Sequence, residues 1–135
     1  MSIVIDASTA LSWCFEDEAS PHTDAIAERV TESGGVVPAL FYLEIANVLM
    51  LAERRGRISA ASLIQRLDLI SQLPLETDTI VIARHIREIL PLAREHGLTI
   101  YDATYLEIAA RRGLPLATRD KALSRAAKAM GIIVE

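Results

Sequence analysis

The chain has 135 residues, 51% apolar and 24% charged, a balance that fits one globular domain over residues 1–135 and excludes a disordered chain. No stretch approaches the ~18 uncharged apolar residues of a membrane helix, and Asp6 interrupts the place where a secretory leader would carry its apolar run. The single cysteine, Cys14, points to a reducing cytoplasm, and the net charge of −4 excludes a simple polycation that coats nucleic acid.

In chain order, Ser2-Ile3-Val4-Ile5 predicts a short strand ending at Asp6, because a β-branched run without polar alternation suits a strand covered on both faces. Ala7 to Phe15 has helical composition and leads into the acidic turn Glu16-Asp17-Glu18. Ser20 and Pro21 open a helix that runs to Ser33 and stops at Gly34-Gly35. Val36-Val37 is a second strand, closed by Pro38, and Leu40 to Arg54 is a strongly apolar helix. Ser59 caps a helix with Leu63, Ile64, Leu67 and Ile70 on one stripe, and Pro74-Leu75-Glu76 is a strand candidate. Asp78 or Thr79 opens a helix with Ile82, Ile86, Ile89 and Ala93 on one face, which Pro91 should kink or split and Gly97 should end. Thr99 to Arg112 is a helix closed by Gly113, Leu116-Ala117-Thr118 a strand, Lys121 to Met130 a helix, and Ile132-Ile133-Val134 a last strand. Short apolar strands separated by helices imply a three-layer α/β/α sandwich around a central parallel sheet. In such sheets ligands collect beyond the carboxyl ends of the strands.

Four acids gain interest from that rule. Asp6 and Asp120 each end a strand and precede a helix, so each reads as a helix cap or as a group opening onto the ligand-binding edge. Asp102 stands three residues after Thr99, as in a capping box. Glu44 is the one ionisable group between Ala39 and Ala52, where burial of an unpaired carboxylate demands compensation. Asn47 follows Glu44 on the same helical side, and Ser8 and Thr118 put hydroxyls beside Asp6 and Asp120. Carboxylates gathered in one pocket need a cation among them, and an all-oxygen donor set favours Mg²⁺ or Mn²⁺. His22, His85 and His96 show no zinc-type spacing and read as structural. Charge is uneven along the chain: residues 111–135 carry a balance of +4 and residues 1–110 a balance of −8. A polyanion would therefore meet Arg111, Arg112, Arg119 and Lys121, unless these are ordinary solvated helix charges.

The segments Val4-Ile5-Asp6-Ala7-Ser8, Pro38 through Glu44 to Asn47, His96 through Tyr101-Asp102-Ala103 to Leu106, and Leu116-Ala117-Thr118-Arg119-Asp120 resemble PIN-domain proteins. Within these the chain is most similar to the VapC group of toxin ribonucleases from bacterial toxin–antitoxin pairs. The resemblance implies that Asp6 and Asp102 are the principal ligands of one or two divalent ions, that Glu44 and Asp120 complete the cluster, and that Ser8 and Thr118 support it. It implies an endoribonuclease that hydrolyses RNA with metal-activated water, leaving a 3′-hydroxyl and a 5′-phosphate. It also implies a homodimer silenced by a VapB-like antitoxin, with Leu40, Phe41 and Leu43, or Leu63 and Leu67, as candidate contacts or plain core. Two other readings stand beside it: a PIN-like module without catalysis that binds RNA or protein, and a phosphoacceptor receiver domain. The receiver needs a second acid next to Asp6 and a mid-chain acceptor aspartate, for which Glu76 or Asp78 would have to serve.

Overall fold

A computed structural model describes residues 1–80 and 82–135. Four strands, β1 (Ile3–Ile5), β2 (Gly35–Pro38), β3 (Leu75–Asp78) and β4 (Leu116–Ala117), form one sheet in the order β3-β2-β1-β4. Every pairing is parallel, with Val4 beside both Val36 and Leu116, and Pro38 beside Asp78. The connections supply seven helices among the described residues: α1 (Ala7–Ser12), α2 (Pro21–Ser33), α3 (Leu40–Arg54), α4 (Ala60–Ser71), α5 (Ile82–His96), α6 (Ile100–Arg112) and α7 (Lys121–Ala129). The result is the expected sandwich of helices about a parallel sheet. Ile132 to Val134 contributes a single parallel bridge, Leu116 to Val134, rather than a full fifth strand.

Burial explains the strand sequences. Ile3, Val4 and Ile5 are fully buried, so both faces of β1 are covered and no polar alternation is tolerated. Phe41, Ile45 and Leu49 on α3 and Tyr105, Leu106 and Ile108 on α6 complete the core around them. Complete burial of each large apolar side chain contributes about 1.5–3 kcal/mol. Phe41 is therefore core and unavailable to a partner, whereas Leu43, 74% exposed, faces solvent.

Local chemistry sets the helix ends. Ser20 and Thr23 form a capping box over Pro21 at the start of α2, Ser59 caps α4, and Thr99 caps α6. Gly113 ends α6 in the left-handed region (φ 64°), which a side chain would resist. Two expectations change here. The helix α5 is continuous through Pro91 instead of split: the proline is exposed, and Ile89 and Ala93 on either side of it pack against Ala103 of α6. That packing offsets one missing backbone bond. The side chain of Ile82, expected on the same stripe, lies outside the described residues.

Asp78 does not open a helix either. It ends β3, where Arg111 donates to Oδ1 (2.9 Å) and Arg112 Nε to Oδ2 (2.8 Å). Arg112 also holds Glu76, and Arg111 also holds Glu107 (2.7 Å), so the end of α6 is pinned to β3 by a closed set of ion pairs. Burial raises the Asp78 carboxyl, but the two guanidiniums outweigh it and hold the carboxyl below its ordinary value. With the folded pKa depressed, the stabilisation is present above the unfolded value of 3.8 and is lost as pH falls through the lower folded value. Asp78→Asn is expected to lower the unfolding free energy by about 2–3 kcal/mol at pH 7 in urea titrations. The deficit should shrink toward zero as the pH is taken below 4.

Candidate functional site

The sheet order reverses direction at β1: the chain leaves it toward β2 and β3 on one side and returns to β4 on the other. Parallel sheets open a crevice at such a point, outside the carboxyl ends of the strands. Here the residues at those ends are Asp6, following β1, and Thr118 to Asp120, following β4. A cavity of about 220 Å³ lies there, lined by Asp6, Ser8, Glu44, Asp102, Tyr105 and Asp120 together with the apolar Leu11 and Val48. Four acids separated by up to 114 positions in sequence thus share one pocket.

Each acid is held by its own element. Asp6 is the cap of α1, accepting the Thr9 N–H at Oδ1 (3.1 Å). The Ser8 hydroxyl donates to the same oxygen (2.7 Å), and the Thr118 hydroxyl donates to Oδ2. These two hydroxyls are themselves polarised from behind. Ser8 Oγ accepts the Arg119 N–H (2.9 Å) and Thr118 Oγ1 accepts the Asp120 N–H (3.0 Å). Each hydroxyl has one proton, and the backbone donor at its back leaves that proton to Asp6. Both Asp6 oxygens are thereby fixed as acceptors. Asp120 caps α7 through the Leu123 N–H (2.8 Å). Asp102 sits in the first turn of α6, its N–H bonded to the Thr99 hydroxyl (3.1 Å). Glu44, half-buried on α3, accepts at Oε1 from the hydroxyl of Tyr105 (2.7 Å). The cap reading and the pocket reading of Asp6 and Asp120 therefore hold at once.

The electrostatics of this pocket differ from those around Asp78. Burial pushes the Asp6 carboxyl up, against the lowering effect of its bonds to Thr118, Ser8 and Thr9. Burial raises Glu44 as well; the Tyr105 bond lowers it, and the neighbouring charges of Asp102 and Asp6 raise it. Asp102 is raised by burial and by Asp120 and Asp6. The Tyr105 phenol, fully buried and facing Glu44, is pushed far above its ordinary range, so it acts as a donor throughout. Among the described residues no lysine or arginine forms an ion pair with any of the four acids. Helix N-termini at Asp102 and Asp120 favour negative charge by about 0.3–1 kcal/mol each. Two unit charges about 6 Å apart at a protein surface repel by ~3 kcal/mol, so the dipoles do not balance the cluster. The donor set is all oxygen, uncompensated and partly oriented, and it fits a hard divalent cation.

Ligand atoms of the pocket acids are not drawn into a tight trio; among the described residues only His85, Glu88 and Glu107 have ligand atoms within 4.8 Å of one another. In that trio Arg111 already neutralises Glu107, and the three side chains tie α5 to α6. His85 lies within ion-pair distance of Glu88 on its own helix and of Glu107 on α6.

Other expected site residues separate. Asn47 is exposed and does not line the pocket; Val48 does. On a helix the fourth residue on lies more nearly above Glu44 than the third, which explains the exchange. Arg111 and Arg112, expected to face a polyanion, are engaged with Asp78, Glu76 and Glu107. Arg119 and Lys121 flank Asp120 at the pocket, Arg119 exposed and only 4.0 Å from Glu18 at its closest. Tyr105 was missed by sequence reasoning. The available signal was its place three residues after Asp102, on the same side of α6.

Residues 3–129 match the PIN domain family model. A protein of Pyrobaculum aerophilum named Ribonuclease VapC3 is 27% identical over 128 residues, covering 92% of this chain and 93% of the relative. A Ribonuclease VapC3 of Mycobacterium tuberculosis is 29% identical over 127 residues, covering 92% and 86%. The crystal structure of PAE2754 from Pyrobaculum aerophilum superposes with a TM-score of 0.73 at 28% identity, covering 99% of this chain and 90% of the other.

Two substitutions test the electrostatics. Thr118→Val removes a donor from Asp6 and an acceptor from Asp120, and is expected to cost about 1–3 kcal/mol in urea unfolding. Asp102→Asn removes a charge that raises its neighbours, so in EDTA at pH 7.5 it should raise the melting temperature by a few degrees. Carboxyls with raised folded pKa stabilise when protonated and lose that contribution as pH rises through the folded values. The gain from Asp102→Asn should therefore fade as the pH is lowered to 4.

Proposed function

Because this chain belongs to the PIN-domain family, we propose that it is a VapC-type toxin, an endoribonuclease that hydrolyses RNA phosphodiester bonds with the help of Mg²⁺ or Mn²⁺. The observation that carries this reading is the shared pocket of four carboxylates, with no cationic side-chain partner among the described residues, in a chain similar over nine-tenths of its length to proteins named ribonucleases. In this reading the 135 residues act as one nuclease domain, in the cytoplasm; no helix of the described residues is long and apolar enough to cross a membrane.

Asp6 and Asp102 hold the cation, with Glu44 and Asp120 completing the set directly or through water. Such a cation would offset part of the pocket's negative charge and would supply a water that loses its proton readily enough to serve as nucleophile. The chain's own groups supply the rest. Ser8 and Thr118 keep the Asp6 carboxylate oriented with both oxygens as acceptors. Leu11 and Val48 close the pocket with apolar surface that limits water. In this reading exposed Arg119 and Lys121, on either side of Asp120 in sequence, hold the RNA backbone flanking the scissile phosphate, whereas Arg111 and Arg112 pair with acids at the end of β3 and on α6. Attack by water in line with the leaving oxygen leaves a 3′-hydroxyl and a 5′-phosphate, since no ribose hydroxyl takes part. A VapB-like antitoxin silences the enzyme in this reading, and two copies form a homodimer. Exposed Leu43, Ile64 and Leu69 on α3 and α4 give apolar surface for such contacts.

Purified protein should cut structured RNA with Mg²⁺ or Mn²⁺ and stop in EDTA. Asp102→Asn should lower the rate at least a hundredfold, and product ends should carry a 5′-phosphate. Expression in a host cell should arrest growth, and Asp6→Asn should relieve the arrest. Cleavage unaffected by EDTA and by Asp102→Asn would remove the metal from the mechanism; RNA bound but never cut would mark a binding module instead.

A further inference from the structure

Glu44 and Asp102 reach the pocket from different helices, α3 and α6, and one contact couples them. Tyr105 lies three residues after Asp102 on α6, is fully buried, and donates its hydroxyl to Glu44 Oε1. A glutamate has three side-chain torsions to be fixed, and Glu44 shares its pocket with the like charges of Asp102 and Asp6. The apolar surroundings of the ring would be filled equally well by phenylalanine; the hydroxyl adds nothing to the core except this bond. Among the described residues no hydrogen bond occupies Glu44 Oε2.

We propose that Tyr105 is a positioning residue: its buried hydroxyl commits Glu44 Oε1 and holds the carboxylate at the pocket against repulsion by the neighbouring aspartates, leaving Oε2 as the oxygen offered to a divalent cation. This rests on the metal-dependent nuclease reading above. Tyr105 acts through Glu44, by the bond from its hydroxyl to Oε1. Its removal should weaken metal binding roughly tenfold, the lower end of what loss of a group supporting a ligand produces.

The test is calorimetric titration of Mn²⁺ alone into the full-length protein without RNA. It compares the unaltered chain with Tyr105→Phe, Glu44→Gln and the double variant, with far-UV circular dichroism for each. Tyr105→Phe should bind Mn²⁺ about tenfold more weakly, and the same change on the Glu44→Gln background should alter affinity less than twofold. Unchanged affinity in Tyr105→Phe, or an equal loss on both backgrounds, overturns the proposal, because a general packing effect would not depend on Glu44. Should Tyr105→Phe fail to fold, Glu44→Asp serves in its place. It withdraws the carboxylate from the Tyr105 hydroxyl by one methylene and should show a comparable loss, and full affinity there overturns the proposal. Asp102→Asn separates the two levels. If the unaltered chain binds no Mn²⁺, the nuclease reading falls and takes this inference with it. If it binds and Asp102→Asn does not, the result for Tyr105→Phe bears on the positioning role alone.

Discussion

Buried negative charge is treated in two opposite ways within this molecule. At the end of β3, Asp78 is enclosed and met by two guanidiniums that hold its carboxyl below the ordinary range. Beyond the ends of β1 and β4, the carboxyls of Asp6, Glu44 and Asp102 are raised above it, and among the described residues no lysine or arginine pairs with them. The first arrangement is complete in itself and stabilises the fold. The second is an unfavourable concentration of like charge that hydrogen bonds orient without neutralising. Folding tolerates it because the core around β1, α3 and α6 supplies the compensating stability elsewhere. In the reading proposed above, a divalent cation would supply the missing positive charge.

The fold makes this pocket from ordinary parts. A parallel strand running into a helix places one residue at the turn where a side-chain oxygen caps the helix, and aspartate suits that position on local grounds. Two such turns, after β1 and after β4, lie side by side because the sheet reverses its winding direction between those strands. Cap geometry then directs each carboxylate to the same crevice. The first turn of α6 and one position of α3 bring the remaining two acids. A group that is unremarkable as a cap becomes reactive through what stands next to it.

This also explains how much was legible in the sequence. The strand and helix order followed from β-branched runs, capping serines and threonines and terminal glycines, all of which act locally. The acids of the pocket were legible as a set through the family pattern, since none of them is distinctive alone. Pro91 does not split α5, because the helix is packed on both sides of it, at Ile89 and Ala93. Arg111 and Arg112 misled because a run of positive charge says nothing about which acids fold against it: Asp78 and Glu76 come from β3, and Glu107 stands one turn earlier on the same face of α6. Asn47 misled by one position in helical phase. The bond between Tyr105 and Glu44 spans 61 residues, and an aromatic residue in a helix reads as core until its hydroxyl is seen to have a partner.

The four acids are tethered to different degrees, and the gradation has a chemical sense. Asp6 is the most constrained: both oxygens take hydroxyl protons that backbone N–H groups have directed toward it, so its orientation is set by the joint between β1, α1 and the loop after β4. Glu44 is constrained at one oxygen, Asp120 at the oxygen that caps α7, and Asp102 is anchored through its backbone in the first turn of α6. A pocket of four rigid carboxylates would fix one arrangement of its oxygens. A pocket of four free ones would spread apart under mutual repulsion. One fixed acid supplies a reference point, and the less restrained ones adjust around it, so the same hydrogen bonds that orient the site also determine which of its oxygens are free to move.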